Sequence, residues 1–351
     1  MPIDPVIQRV QAQVKAAAVR PSSEPAQWRA DALRIDQLMA EAAYDEPTPV
    51  MTDDVTIAPD GLPPLRLRLY HPPQPSDLSS QPVEPTPIQP DQGAPASPSG
   101  LRGAYLGFFG GAFRQGGLDF PSVDRLWRAR AAQAGVLVVG VEYALAPEHP
   151  YPTALEQGYA ALDWLAQQTG QWRVDPNRLA IGGISSGGNL AAAVALLARD
   201  RGGPSLALQI LEVPTLDLTG RHLSLAAGRG LGLPPLLLKL GLKSVIKTYF
   251  GPGSGGQARQ AYASPLLADD LTGLPPSLIL VAEHDLLRGD GEAYADRLRR
   301  AGVDATALVY LGHTHESSFF SRVLPSARHW QRTVAEALVA RIGPGSIVRP
   351  D

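Results

Sequence analysis

The chain has 351 residues, 44% of them hydrophobic and 19% charged, with a formal net charge of −3 and no cysteine. That length suits one large domain with an accessory cap, or two ordinary domains. The charge offers no basic surface for nucleic acid, and the missing cysteine removes disulfides, thiolate metal sites and a thiol nucleophile together.

Two amphipathic helical patterns come first, around Val6 to Ala18 and Pro25 to Ala43, with no strand between them. The opening MPIDPVIQRVQAQVKAAAVRP shows neither a basic start followed by an apolar core nor a small-residue cleavage signature, so a cytoplasmic location is the default expectation. Residues 52–71 then read as a hairpin: VTIAP, a turn at Asp60 and Gly61, and the alternating run LRLRLY. From about residue 72 to 100 the chain is rich in proline and polar residues and cannot bury enough apolar surface to offset its ordering entropy. It reads as a disordered or extended insertion.

After residue 100 strand-like and helix-like patterns alternate. The strand candidates are LRGAYLGFF, VLVVGVEYA, RLAIGG, LALQILEVP, SLILVAEH and ATALVYL, with helical patterns near 121–134, 153–168, 188–200, 291–301 and 326–341. Continuous Val/Ile/Leu runs between helices predict a mostly parallel sheet covered on both faces. Between Thr219 and Leu266 no strand pattern occurs. The apolar stretch at 231–250 is broken by Pro234, Pro235, Lys239, Lys243 and Lys247, which argues against a membrane span. An insertion there could fold over the carboxyl ends of the strands, where such sheets bind ligands.

The run GISSGGNLAAA (183–193) follows the strand-like RLAIG. A residue in a sharp strand-to-helix turn projects its side chain outward, and its neighbours two positions away must be nearly bare. Gly183 and Gly187 flank Ser185, whereas a frame on Ser186 would need glycine where Ile184 stands, so Ser185 is the candidate nucleophile. A plain glycine-rich turn is the alternative; a phosphate cradle fits poorly, since GxxxxGK[ST] is absent. A serine needs a base, and the base a partner that fixes its tautomer. Of the histidines, His313 and His315 lie just after the last strand candidate, matching the chain order serine, acid, histidine. Asp285 ends SLILVAEHD and is the candidate acid; it could instead cap the following helix, a role that Asp290 fits better.

These features come together in FFGGAF (108–113), EYALAPEHPYP (142–152), GISSGGNLAAA, the long stretch 262–303 and YLGHTHESSF. From about residue 101 to 340 the chain resembles the hormone-sensitive-lipase-like (bacterial family IV) esterases of the α/β-hydrolase superfamily. The resemblance implies an α/β chain with the α/β-hydrolase fold, a mostly parallel eight-stranded central sheet flanked by helices, and a helical cap. It divides the chain into an N-terminal cap segment (1–50), a catalytic domain (51–351) and, within it, a second cap segment (222–262). It also implies a triad of Ser185, Asp285 and His315. The family spacing after the last strand, counted from Tyr310, lands on His315 and leaves His313 as a loop residue.

The family's oxyanion motif, HGGG and an aromatic, corresponds here to Phe109, Gly110, Gly111, Ala112 and Phe113. The resemblance places the oxyanion hole at Gly110, Gly111, Ala112 and Ser186, with the amides of Gly111, Ala112 and Ser186 as donors. Two departures follow. Phe109 can brace the loop only by packing, and Ala112 would be strained at a positive φ. Ile184 stands where the family carries aspartate or threonine, and is expected to pack beneath the turn. Tyr143 and Glu148 are expected to brace loops near the site.

The expected activity is hydrolysis of short to medium acyl, or aryl, carboxylic esters, with a small-molecule ester as partner, no metal or organic cofactor, no nucleic acid and no membrane span. The apolar run 231–250 would shape the acyl pocket or form cap core. A homo-oligomer is left open. Two alternatives stand beside this: a catalytically impaired small-ligand binding protein, favoured by the altered oxyanion motif, and a serine amidase or lactonase.

Overall fold

A computed structural model describes residues 1–16, 24–73, 101–168, 170–228, 235–252 and 256–344. The proline-rich insertion, from residue 74 onward, lies outside them. Helices α1 (Pro5–Ala16) and α2 (Pro25–Ala43) precede the hairpin β1 (Thr52–Ile57) and β2 (Leu65–Tyr70). Period-two alternation in LRLRLY buries Leu65, Leu67 and Leu69 in the core, while Arg66 and Arg68 turn outward and pair with Asp54.

The remaining strands are β3 (Arg102–Phe108), β4 (Leu137–Glu142), β5 (Val174–Ile184), β6 (Leu208–Glu212), β7 (Ser277–His284) and β8 (Ala305–Thr314). They join the hairpin in one 8-stranded sheet of order β1-β2-β4-β3-β5-β6-β7-β8. Only the pairings of β2 with β1 and β4 are antiparallel. Crossovers through α3 (Pro121–Ala134), α4 (Thr153–Ala166), α5 (Ser186–Arg201) and α8 (Arg288–Arg300), with α9 (Pro325–Ile342) after the last strand, cover both faces, which is why the strands read as continuous apolar runs. The 219–266 interval holds α6 (Leu225–Gly228) and α7 (Pro235–Phe250), with no strand among the described residues. No helix among them is long and apolar enough to cross a membrane.

Order reverses at β3 and β5: the chain winds outward from β3 through β4 on one side and from β5 to β8 on the other. Phe108 at the end of β3 pairs with Gly183 near the end of β5. Two loops therefore leave the sheet side by side at its switch point, the place where such folds bind ligands.

Beneath that point lies a buried ion pair. Arg130 of α3 donates to Glu212 at the end of β6, and Trp330 Nε1 of α9 donates to the other carboxylate oxygen at 2.7 Å. The Glu212 carbonyl in turn accepts from the Ser185 amide at 2.8 Å. Removing one partner of a fully buried pair strands a charge in a low dielectric. Arg130→Met is therefore expected to lower unfolding free energy by about 3–5 kcal/mol, measured by denaturant titration; a loss below about 1 kcal/mol would show that Glu212 is satisfied without it.

The N-terminal helices form a small core of their own. Ile7 and Val10 of α1 and Met39, Ala40 and Ala43 of α2 pack with Phe320, Leu324 and Ala327, beyond the end of β8. Backbone bonds from Asp4 to Gly312 (3.0 Å) and from Arg322 to Ala43 (3.1 Å) fasten them there.

Candidate active site

Ser185 occupies the turn between β5 and α5 with φ 56° and ψ −118°, a conformation a non-glycine residue holds only when its surroundings enforce it. The flanking glycines explain how the chain closes so tightly. A Cβ on Gly183 would run into the Gly187 carbonyl and come within 2.8 Å of the Phe108 carbonyl oxygen, and one on Gly187 would strike the carbonyls of Phe108 and Phe109. Neither position has room for a side chain. Ile184 is buried beneath the turn, and it also lines the adjoining cavity.

The strand ends β7 and β8 bring the other two groups in. His315 Nε2 lies 2.9 Å from Ser185 Oγ, and His315 Nδ1 lies 2.7 Å from Asp285 Oδ2. The second Asp285 oxygen accepts the Leu287 amide at 3.0 Å, which fixes the carboxylate's orientation. Burial pulls the His315 pKa down, but the charge and hydrogen bond of Asp285, with Glu316 adding to them, hold it above its ordinary value. The imidazole is thus prepared to carry a proton.

His313 is elsewhere. It is buried between Ser326 (2.7 Å) and Ser317 (2.8 Å), and burial lowers its pKa to about 4, so it is a neutral core histidine. Asp290 departs from the expected capping role. Leu287 is the N-cap of α8, and Asp290 sits inside the first turn, fully buried, accepting the Leu216 and Asp217 amides at 2.8 and 3.0 Å. Burial pushes its carboxyl to about 7. Its position next to the helical pattern gave no sign of this tertiary role.

The loop after β3 carries the altered oxyanion motif. Gly111 has φ 138° and Ala112 φ 54°, so the alanine adopts the left-handed conformation at a cost on the order of 1 kcal/mol. A Cβ on Gly110 would lie 3.3 Å from Ser185 Cβ, which shows how close the loop comes to the nucleophile. Among the described residues no backbone carbonyl accepts from the Gly111 or Ala112 amide. Ser186, the first residue of α5, is buried beside them, at a helix start whose amides lack intrahelical partners.

Phe109 braces this loop by packing: its ring stacks on Tyr143 at 4.2 Å, and the Tyr143 hydroxyl donates to the Phe109 carbonyl at 2.9 Å. Glu148 accepts both guanidinium branches of Arg29 from α2. Arg29 also reaches the carbonyls of Arg114 and Ala146, each at 3.1 Å, and so ties α2 to the oxyanion loop.

A cavity of about 320 Å³ opens on Ser185. Its apolar wall comes from Ile35 and Met39 of α2 with Phe120, Val123, Ile184 and Phe319. Among the described residues the 231–250 stretch contributes none of it. Tyr249 and Phe250 are instead buried, with Tyr249 stacked at 3.8 Å on Phe113, the last residue of the oxyanion motif. Tyr249 thus packs against the oxyanion loop, and α2 supplies one wall of the cavity. Sequence reasoning missed Asp36, Tyr44 and Glu316 in this lining. The first two sit in an ordinary amphipathic pattern, whereas adjacency to His315 was a usable signal for Glu316. No three His, Asp or Glu side chains among the described residues gather as a metal site.

Residues 105–319 match the model of a family with the α/β hydrolase fold. Carboxylesterase NlhH of Mycobacterium tuberculosis is 39% identical over 222 residues, covering 63% of this chain and 68% of that protein. Esterase LipI of the same organism is 35% identical over 283 residues, covering 76% and 85%. The solved structure of a hyperthermophilic esterase from Pyrobaculum calidifontis superimposes with a TM-score of 0.80 at 30% identity, covering 97% of this chain and 98% of its own. Sheet order, the strained turn and these likenesses agree: the chain belongs to the hormone-sensitive-lipase-like esterases of the α/β-hydrolase family.

Proposed function

We propose that this carboxylic ester hydrolase works by acyl transfer through Ser185, His315 and Asp285, on esters with short to medium acyl chains or aryl groups. The carrying observation is the chain of contacts from Ser185 Oγ to His315 Nε2 (2.9 Å) and from His315 Nδ1 to Asp285 (2.7 Å), with Ser185 and His315 in the wall of the cavity. His315 takes the serine proton as Oγ attacks the ester carbonyl, and Asp285 stabilises the imidazolium that forms. The amides of Gly111, Ala112 and Ser186 receive the oxyanion; Gly110 lets the loop approach. His315 then protonates the departing alcohol and afterwards activates the water that releases the acid. An alanine methyl at position 112 leaves its N–H in place, so the altered motif keeps the donor chemistry.

The α2 wall and the volume of the cavity support the limit on chain length. We also read the segments 1–50 and 222–262 as cap, with the second acting on the oxyanion loop. The cytoplasmic location and a homo-oligomer belong to the same proposal, to be checked by cell fractionation and by solution mass.

The test is the initial rate across p-nitrophenyl esters of increasing acyl length. Activity is expected to peak at a short to medium chain and to fall steeply beyond it. A rate that keeps rising with long chains would overturn the limit on acyl length, and turnover of matched amides or lactones in preference to esters would point to the other leaving groups.

A further inference from the structure

Resting on that esterase reading, we propose that Glu316, with the aromatic rings that share its cavity, selects ester substrates carrying a cationic ammonium group. Two independent features of the lining agree. The first is charge: Asp36 and Glu316 both border the cavity that opens on Ser185, and no lysine or arginine appears among its described lining residues. The second is the ring set of Tyr44, Phe120 and Phe319 in the same wall, with Tyr44 and Phe319 tilted at 48° and their centroids 5.8 Å apart. Aromatic faces attract ammonium groups, more strongly where water is excluded.

The two carboxylates are not equivalent. Asp36 is committed within the protein, accepting the Ser122 amide at 2.9 Å and the Tyr44 hydroxyl at 3.2 Å. The Glu316 side chain has no hydrogen bond or ion pair among the described residues, and it lines the cavity beside His315 while staying accessible to solvent. Arg125, the guanidinium that acts on Asp36, lies outside this cavity's lining and donates to the Asp45 carbonyl at 2.9 Å. A carboxylate in a cavity wall without a counter-cation attracts a ligand that supplies one, most strongly at low ionic strength.

The experiment compares kcat/KM for butyrylcholine and its uncharged carbon isostere, 3,3-dimethylbutyl butyrate, by proton release at low ionic strength. A second pair places the trimethylammonium group at the far end of the acyl chain. At least one cationic ester is expected to exceed its isostere by about tenfold, and Glu316→Gln to bring that ratio close to one. Equal or inverted ratios in both pairs of the unmodified enzyme overturn the selectivity, whatever the stability of the variant. A ratio unchanged in Glu316→Gln overturns the role of Glu316. Hydrolysis of neutral esters without cation preference sinks this inference alone, whereas no hydrolysis of any ester sinks the acyl-transfer reading with it.

Discussion

Replacing Ser185 by alanine is expected to lower kcat toward p-nitrophenyl esters by about a millionfold and to leave the fold intact. The size follows from the loss of the acyl-enzyme route itself. Without Oγ, His315 can only activate water, and the oxyanion amides retain a modest advantage over solution, on the order of a thousandfold. The backbone has no reason to relax, because the constraints on φ 56° come from the packing of Gly183 and Gly187 against the β3 loop and from the Ser185 amide bond to Glu212. Initial rates together with thermal melts test both halves. A variant that keeps more than about a thousandth of the activity would mean that another group carries the chemistry.

Asp285→Asn is expected to reduce kcat by roughly ten-thousandfold, through a change of tautomer. The Leu287 amide donates to Asp285 Oδ1, so an asparagine must present its oxygen there. Its NH2 group then points at His315 Nδ1, which becomes an acceptor, and the ring proton moves to Nε2, facing Ser185. The base is blocked at the atom where it must act. The pH profile carries a second signature. Asp285 helps to hold the His315 pKa above its ordinary value, and activity needs the neutral ring, so the unmodified enzyme loses activity as pH falls through that raised value. With the carboxylate gone the imidazolium is less favoured, and the acid limb moves to lower pH while the plateau drops. A plateau reduced less than about tenfold, or a limb that moves upward, would show that Asp285 does not orient the ring.

How much of this was readable from the chain depends on how local each signal is. The strained turn at Ser185 was legible because its signal lies within five residues, in the glycines that flank it, although the β3 loop and Glu212 also hold it. The parallel sheet was legible from continuous apolar runs, since burial on both faces leaves no alternation. Asp285 was placed by its position at a strand end and by resemblance, and His315 needed the family's spacing to separate it from His313. What escaped was set by distant partners. Asp290 looks like a helix cap until the amides of Leu216 and Asp217 are found against it. The part of α2 in the cavity wall could not be assigned because the apolar 231–250 stretch is the more conspicuous candidate, while α2 announces itself only as an amphipathic helix. Its buried face includes Asp36, a residue whose burial depends on Ser122 and Tyr44.

The fastening of the N-terminal helices has a consequence for synthesis. Asp4 bonds to Gly312, Gln11 to Thr314, and Ala43 to Arg322. Helices α1 and α2 therefore have no docking place until translation has passed residue 322, long after the strands β1 to β4 have emerged. Contacts so far apart in sequence form late and slowly. A nascent or truncated chain can carry Ser185 on its elbow and still lack His315 and the α2 side of the cavity, so the arrangement around Ser185 is complete only once residue 322 has been made.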